Sequence, residues 1–312
     1  MNPLRKTALR GYMALSAPFR WYWGRVLAAA NRYPVSILFY HRVHDRHPNP
    51  WTISTEGFQQ QIDCLRKHFD IVSLAEAQNR IRTGNSRPTV SLTFDDGYAD
   101  NSLTVIPYLV RNQIPATYFV NNENVLSGKP FRHDEERGVP LPPNGIESLK
   151  LMQRSGIEIG AHTRTHPDLG KTRDEEKIFD EVVVARDELE DLIGCRVRYF
   201  AFPFGQKENL NDEVFQLAKM YGFEGVCSAY GGVNAIGDDP FHLQRIHGDP
   251  EFLRFRNWLS LDPREMLKTS YPLPELIKSP ETIQLHSGEE QDSMEQNSDH
   301  EVAGARDESC SF

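Results

Sequence analysis

Residues 89–98 read Thr-Val-Ser-Leu-Thr-Phe-Asp-Asp-Gly-Tyr. An apolar, β-branched run stops at two adjacent carboxylates, Asp95 and Asp96, and then a glycine. The pattern predicts a buried strand whose C-terminal tip carries two acids on a tight turn. In a barrel of parallel strands, that tip faces the active site. Adjacent carboxylates resist joint ionisation unless a positive group sits beside them, and a metal ion is the natural partner. Further along, residues 157–166 read Ile-Glu-Ile-Gly-Ala-His-Thr-Arg-Thr-His, again an apolar run ending in polar groups. His162 and His166 are four apart, so a helical turn after the strand would put both imidazoles on one face. Two histidines and one carboxylate can hold a metal and leave positions open for water and substrate. Taken singly, Asp-Asp-Gly is a common turn and the His pair can be merely solvated. Their joint occurrence at two strand ends favours the metal.

A third segment, Val-Arg-Tyr-Phe-Ala-Phe-Pro-Phe-Gly at 197–205, is another strand stopped by Pro203 and Gly205. With the three segments in this order, the chain resembles the polysaccharide deacetylase family (NodB-homology, carbohydrate esterase family 4). The opening strand Ile-Leu-Phe-Tyr-His-Arg-Val at 37–43 resembles a subgroup found in exopolysaccharide and cell-surface glycan biosynthesis. The resemblance implies a distorted α/β barrel of (β/α) units with about seven strands. It implies that Asp95 is the general base, that Asp96, His162 and His166 hold the metal, and that the Phe204 N–H serves the oxyanion. Zinc is the default metal, with cobalt or manganese as alternatives. The family's leaving-group acid matches His247 best, in His-Leu-Gln-Arg-Ile-His-Gly at 242–248.

The chain departs from the family pattern at two points. The arginine that usually orients the base is replaced at the corresponding position by Ala201. Arg198 has the wrong strand parity to substitute for it, which leaves Arg245 as the better candidate. The family's Asp- and Trp-containing segment has no evident counterpart, since 229–241 holds Asp238 and Asp239 but no tryptophan. His247 could accordingly be only a hydrogen-bonded strand-end histidine. His41 closes the first strand and could reach the same rim, in contact with substrate or ligands, or as a structural residue.

Other strand-like runs at 116–121, 224–229 and 242–247 alternate with helical patterns at 58–69, 174–193 and 211–221, which implies parallel pairing. His41, Asp95, Asp96, His162, Phe204 and His247 all fall at or near predicted strand ends. The catalytic domain is expected over 35–270. The four cysteines, 64, 195, 227 and 310, form no C-x-x-C and no disulfide framework, and favour a reducing compartment.

The termini differ in charge. Residues 1–34 hold six bases, no acid, and Tyr12, Phe19, Trp21, Tyr22 and Trp23. The longest uncharged run, Gly11–Phe19, is too short to span a bilayer or to serve as a signal-peptide core. The segment reads either as a helix lying on an anionic membrane or as one packed on the barrel. The expected location is cytoplasmic, with possible peripheral contact at the inner face of the membrane. From Glu275 the chain carries ten acids against two bases, −8 of its total −9, and the stretch 271–312 is expected to be a disordered tail. Without the tail the chain is nearly neutral, and nothing points to nucleic acid. The reaction expected is metal-assisted removal of N-acetyl groups from an amino-sugar glycan or its precursor. The alternatives are hydrolysis of a small non-sugar amide and a silent glycan-binding module.

Overall fold

The computed structural model describes residues 1–267 and 271–273. Its centre is one nine-stranded sheet in which every pairing is parallel. The strands are β1 (Val35–Tyr40), β2 (Asp70–Val72), β3 (Thr89–Phe94), β4 (Thr117–Val120), β5 (Glu158–Ala161), β6 (Tyr199–Ala201), β7 (Gly225–Cys227), β8 (His242–Leu243) and β9 (Ile246–His247). They run in the order β8-β7-β6-β5-β4-β3-β1-β9, with β2 added to β3. The strands β1 and β3 are buried at every position, as continuous apolar runs covered on both sides must be.

The two ends of that order, β8 and β9, are separated in sequence only by Gln244 and Arg245. The sheet therefore curls until one stretch of chain serves both edges, which is the (β/α) barrel expected from the sequence. The single strand expected at 242–247 is corrected to two short ones. Its first half pairs with β7 and its second with β1, so the chain breaks step at Arg245. The strand expected at 35–43 also breaks, at His41, and Arg42–Val43 pairs instead with Thr52–Ile53 in a separate small sheet. Neither Thr52–Ile53 nor Asp70–Val72 was expected, being too short to carry a period.

Helices α2 (Thr55–His68), α3 (Leu74–Thr83), α4 (Ile146–Arg154), α5 (Ala185–Ile193), α6 (Asp212–Met220) and α7 (Phe252–Leu259) surround the sheet. Caps set their starts: the Ser54 and Ser73 hydroxyls accept the N–H groups of Gly57 and Glu76. Ahead of the barrel, α1 (Pro3–Ala29) is a single 27-residue helix. It packs through its inner side: buried Arg20 donates to the Asn257 carbonyl and side chain at 3.1 and 2.9 Å and to the Ser260 hydroxyl at 2.6 Å. Tyr12 Oη donates to Asp262 at 2.8 Å. Among the described residues, no helix is long and apolar enough to cross a membrane. Of the tail expected at 271–312, all but residues 271–273 lies outside the described residues. Cys64, Cys195 and Cys227 are free thiols.

Candidate active site

Register brings the polar strand ends together. Tyr40 is paired with Phe94, so His41 and Asp95 leave adjacent strands at the same level, and the Asp95 N–H donates to the Tyr40 carbonyl at 2.8 Å. Val120 is paired with Ala161, and the His162 N–H donates to the Val120 carbonyl at 2.9 Å. The turns that follow are strained. Asp96, Thr163, His166 and Phe204 all have φ between 59° and 70°, which non-glycine residues seldom adopt. Gly97 at φ 94° completes the first turn, where an added Cβ would meet Val120 at 3.2 Å. Gly205 completes the third, where a Cβ would strike the Ala229 backbone at 2.7 Å.

Asp96, His162 and His166 form a cluster whose ligand atoms lie within 4.8 Å of one another. Asp96 Oδ1 is 3.6 Å from His162 Nε2 and 3.4 Å from His166 Nε2. The His162 Nδ1–H donates to the Ala201 carbonyl at 2.7 Å. That bond fixes the tautomer and turns the Nε2 lone pair toward Asp96, the arrangement a metal-ligating histidine needs. Burial alone would raise the Asp96 carboxyl, but its contacts with His162 and His166 outweigh it and hold the group well below its usual range. An ionised carboxylate and a lone pair aimed at the same point fit a divalent metal.

Glu181 holds the loop that carries His166. It is buried in a single π-helical turn, Asp180–Val184, within a helical run expected from the sequence to be regular. Its carboxylate accepts the backbone N–H groups of Arg164 and Thr165 at 2.9 and 2.8 Å and the Thr165 hydroxyl. The extra residue of a π turn re-aims a side chain, and such turns recur at functional sites. The sequence offers no signal for it, because the helical stripe is unbroken.

Asp95 is held differently. Arg245, fully buried at the seam of the barrel, grips it with two parallel bonds, Nη1–Oδ1 at 2.7 Å and Nη2–Oδ2 at 2.9 Å. The guanidinium also donates to the Ser228 carbonyl and the Thr93 hydroxyl, and lies over the rings of Phe39 and Phe119 at 5.1 and 5.4 Å. Burial would raise the Asp95 carboxyl, but the Arg245, His162 and His41 charges reverse that, so it stays ionised. Arg198 is engaged elsewhere, with Glu158 and Glu224. Ala201 contributes its carbonyl to His162 instead of a side chain to Asp95.

A cleft of about 1020 Å³ opens over these groups. Phe204 lines it with an exposed ring 5.1 Å from that of His166. Among the described residues, the Phe204 N–H donates to no protein acceptor. His41 also lines the cleft, its ring 5.0 Å from that of Trp51 and its buried Nδ1 without a hydrogen-bond partner among the described residues. Burial lowers the His41 imidazole, against the opposing pull of Asp96 and Asp95. His247 does not line the cleft. Its register opposite Phe39 packs it against that ring at 5.2 Å, and burial, with the His41 charge, pushes it down to about 4. Sequence reasoning missed Trp51, Phe131 and the charged stretch 129–137 that rim the cleft, because no period or motif marks them.

A family model described as polysaccharide deacetylase matches residues 82–226. YxkH of Bacillus subtilis, named as a candidate polysaccharide deacetylase, is 22% identical over 218 residues, which cover 69% of this chain and 71% of that protein. A chitooligosaccharide deacetylase from a Bradyrhizobium species is 33% identical over 98 residues, 31% of this chain and 36% of that one. Among solved structures, the Streptococcus pyogenes deacetylase PplD, determined with acetate, aligns at a TM-score of 0.59 and 20% identity, covering 76% of this chain and 99% of its own. IcaB from Ammonifex degensii aligns at 0.59 and 24%, covering 73% and 97%. Likeness at such identity speaks for the fold, which these proteins share.

Proposed function

We propose that the chain, whose residues 82–226 match the polysaccharide deacetylase family model, is a metal-dependent hydrolase of amide C–N bonds that removes N-acetyl groups from an amino-sugar glycan or glycan precursor. The observation that carries this reading is the divided labour of two adjacent acids. Asp96 faces two histidines, and Asp95 is clamped by an arginine. A binding module has no need of either arrangement.

Asp96, His162 and His166 would hold the metal, zinc by the nitrogen-rich donor set. When bound, it would polarise the acetamide carbonyl and acidify a water molecule. Asp95 takes the proton from the attacking water, and the bidentate Arg245 contact keeps its carboxylate ionised and aimed. The Phe204 N–H, having no protein acceptor among the described residues, is available to the oxygen that gains charge as the carbonyl carbon becomes tetrahedral. When the C–N bond breaks, the departing amine needs a proton. His41 is the better donor, since it lines the cleft beside Asp95, with His247 behind it as a neighbour. The products are acetate and a free amine. The cleft volume and its aromatic rim, Trp51, Phe131 and Phe204, suit a sugar chain better than a small amide.

Acetate release from N-acetylglucosamine oligomers, measured with chelator and after zinc is restored, tests the reading. Loss on chelation and recovery with zinc is the expected result. A chain that binds oligomers but releases no acetate with any divalent metal is a binding module instead. Comparing His41→Ala with His247→Ala in the same assay identifies the proton donor, and the larger loss is expected at His41.

A further inference from the structure

The helix α1 presents two apolar sides, and packing on the barrel uses only one. The inner stripe runs through Leu9, Met13, Ser16, Arg20 and Leu27 and meets α7 and the turn after it. The outer stripe, Leu4, Leu15, Phe19, Tyr22 and Val26, falls at helical spacing on a separate side and is exposed throughout. Leu15 is 87% exposed, and Trp21, farther round the helix, is 65% exposed. Trp23 extends the exposed aromatic surface, its ring 6.0 Å from Phe19 and 6.2 Å from Tyr22. A soluble chain rarely leaves a contiguous apolar face of this kind to water.

The charges beside the face identify its occupant. Arg5 and Arg25 are exposed on its two flanks, with Arg10 farther round the helix, and Arg25 lies over the Trp21 ring at 5.2 Å. Residues 1–34 contain no acid. A second copy of the helix against the same face would bring like charges together without compensation. A bilayer rich in anionic lipid meets both demands, accepting the apolar stripe at the acyl boundary and the arginines at the headgroups. Tryptophan and tyrosine favour that boundary for their amphipathic rings. We infer that α1 docks the protein, outer face down, on an anionic membrane surface without crossing it. The inner stripe meanwhile keeps the barrel attached.

The test is co-sedimentation of the full chain with vesicles of phosphatidylcholine alone and with added phosphatidylglycerol, paired with light-scattering mass measurement. The expected result is a monomer that binds only the anionic vesicles, with a blue shift of tryptophan fluorescence. Phe19→Glu/Tyr22→Glu should lower partitioning by about tenfold or more. Arg5→Gln/Arg25→Gln should lower it by about 25-fold, since each base near the surface is worth about fivefold. Both variants alter exposed positions and should melt as the wild type does. Binding unchanged in both, or equal binding to neutral vesicles, overturns the inference. So does a dimer that Phe19→Glu/Tyr22→Glu disperses, which would make a second copy the occupant.

Discussion

At the barrel mouth, Asp95, Asp96, His162 and Arg245 are all 3% exposed or less, whereas along the outer side of α1 five large apolar residues face water. Both regions run against the ordinary sorting of side chains, in opposite directions. The difference lies in their partners. These buried groups at the mouth are answered within the chain: Asp95 by Arg245, Asp96 by two histidines, His162 by the Ala201 carbonyl. Among the described residues, the outer stripe of α1 has no such answer. A satisfied polar interior is a machine already assembled, and an unsatisfied apolar exterior is one waiting for something outside the chain.

The sharpest way to break the comparison is to separate the two acids. Asp96→Ala should lose bound metal and all measurable turnover. Asp95→Asn should keep the metal and lose turnover by about 10²–10⁴-fold, the usual worth of a positioned general base. Metal content by elemental analysis, read beside acetate release, distinguishes the two. If Asp95→Asn loses the metal as well, the acids share one role and the partner-by-partner picture of the mouth fails.

Arg245→Met comes next. It leaves the Asp95 charge buried without its counter-charge, which costs about 3–5 kcal/mol when a buried pair is broken. The sign of the pH effect follows from the same contact. Arg245 is the largest of the charges holding Asp95 below its usual range. Removing a cation disfavours the carboxylate, so its pKa rises and the acid limb of the rate profile moves to higher pH. Thermal melting and a pH–rate profile check both halves. Arg245→Lys keeps a charge but loses the fork, and should recover part of the stability and less of the rate.

The mouth and the helix were not equally legible in the sequence. The runs before Asp95, His162 and Pro203 announce strands because buried parallel strands are continuously apolar, and Asp-Asp-Gly and the His pair announce their own chemistry. Arg245 could be suspected only by elimination, since its role arises where 242–247 changes partners and turns it into the barrel. Ala201 acts through a backbone carbonyl, to which sequence is blind. Glu181 acts through a π turn inside an unbroken helical stripe. For α1, the basic and aromatic composition was plain, but which side packs could be read only from the contacts of Arg20 and Tyr12.

Glu181→Gln tests whether the mouth depends on such remote supports. The amide keeps an acceptor but loses the charge that binds the Arg164 and Thr165 N–H groups. Metal affinity should fall by about 10–100-fold, as for other partners of ligand-bearing segments. A zinc titration against a competing chelator measures it. An unchanged affinity would mean that the strained turn at His166 holds itself.

The smallest effect concerns the seam under α1, where the helix follows the rule of the mouth on its inner side. Burial would raise the Asp262 carboxyl, but bonds from Arg264, Tyr12 and Asn257 bring it down to about 2. A carboxyl lowered on folding contributes stability above its unfolded value, 3.8, and loses it as pH falls toward 2. Asp262→Asn should therefore melt below the wild type at pH 7, by about 2–4 °C for a loss of ~1 kcal/mol. The gap should close between pH 4 and pH 2, because there the wild type loses the same charge. A gap that stays constant with pH would assign the effect to packing, and the seam would then be held by shape, as the outer face is not held at all.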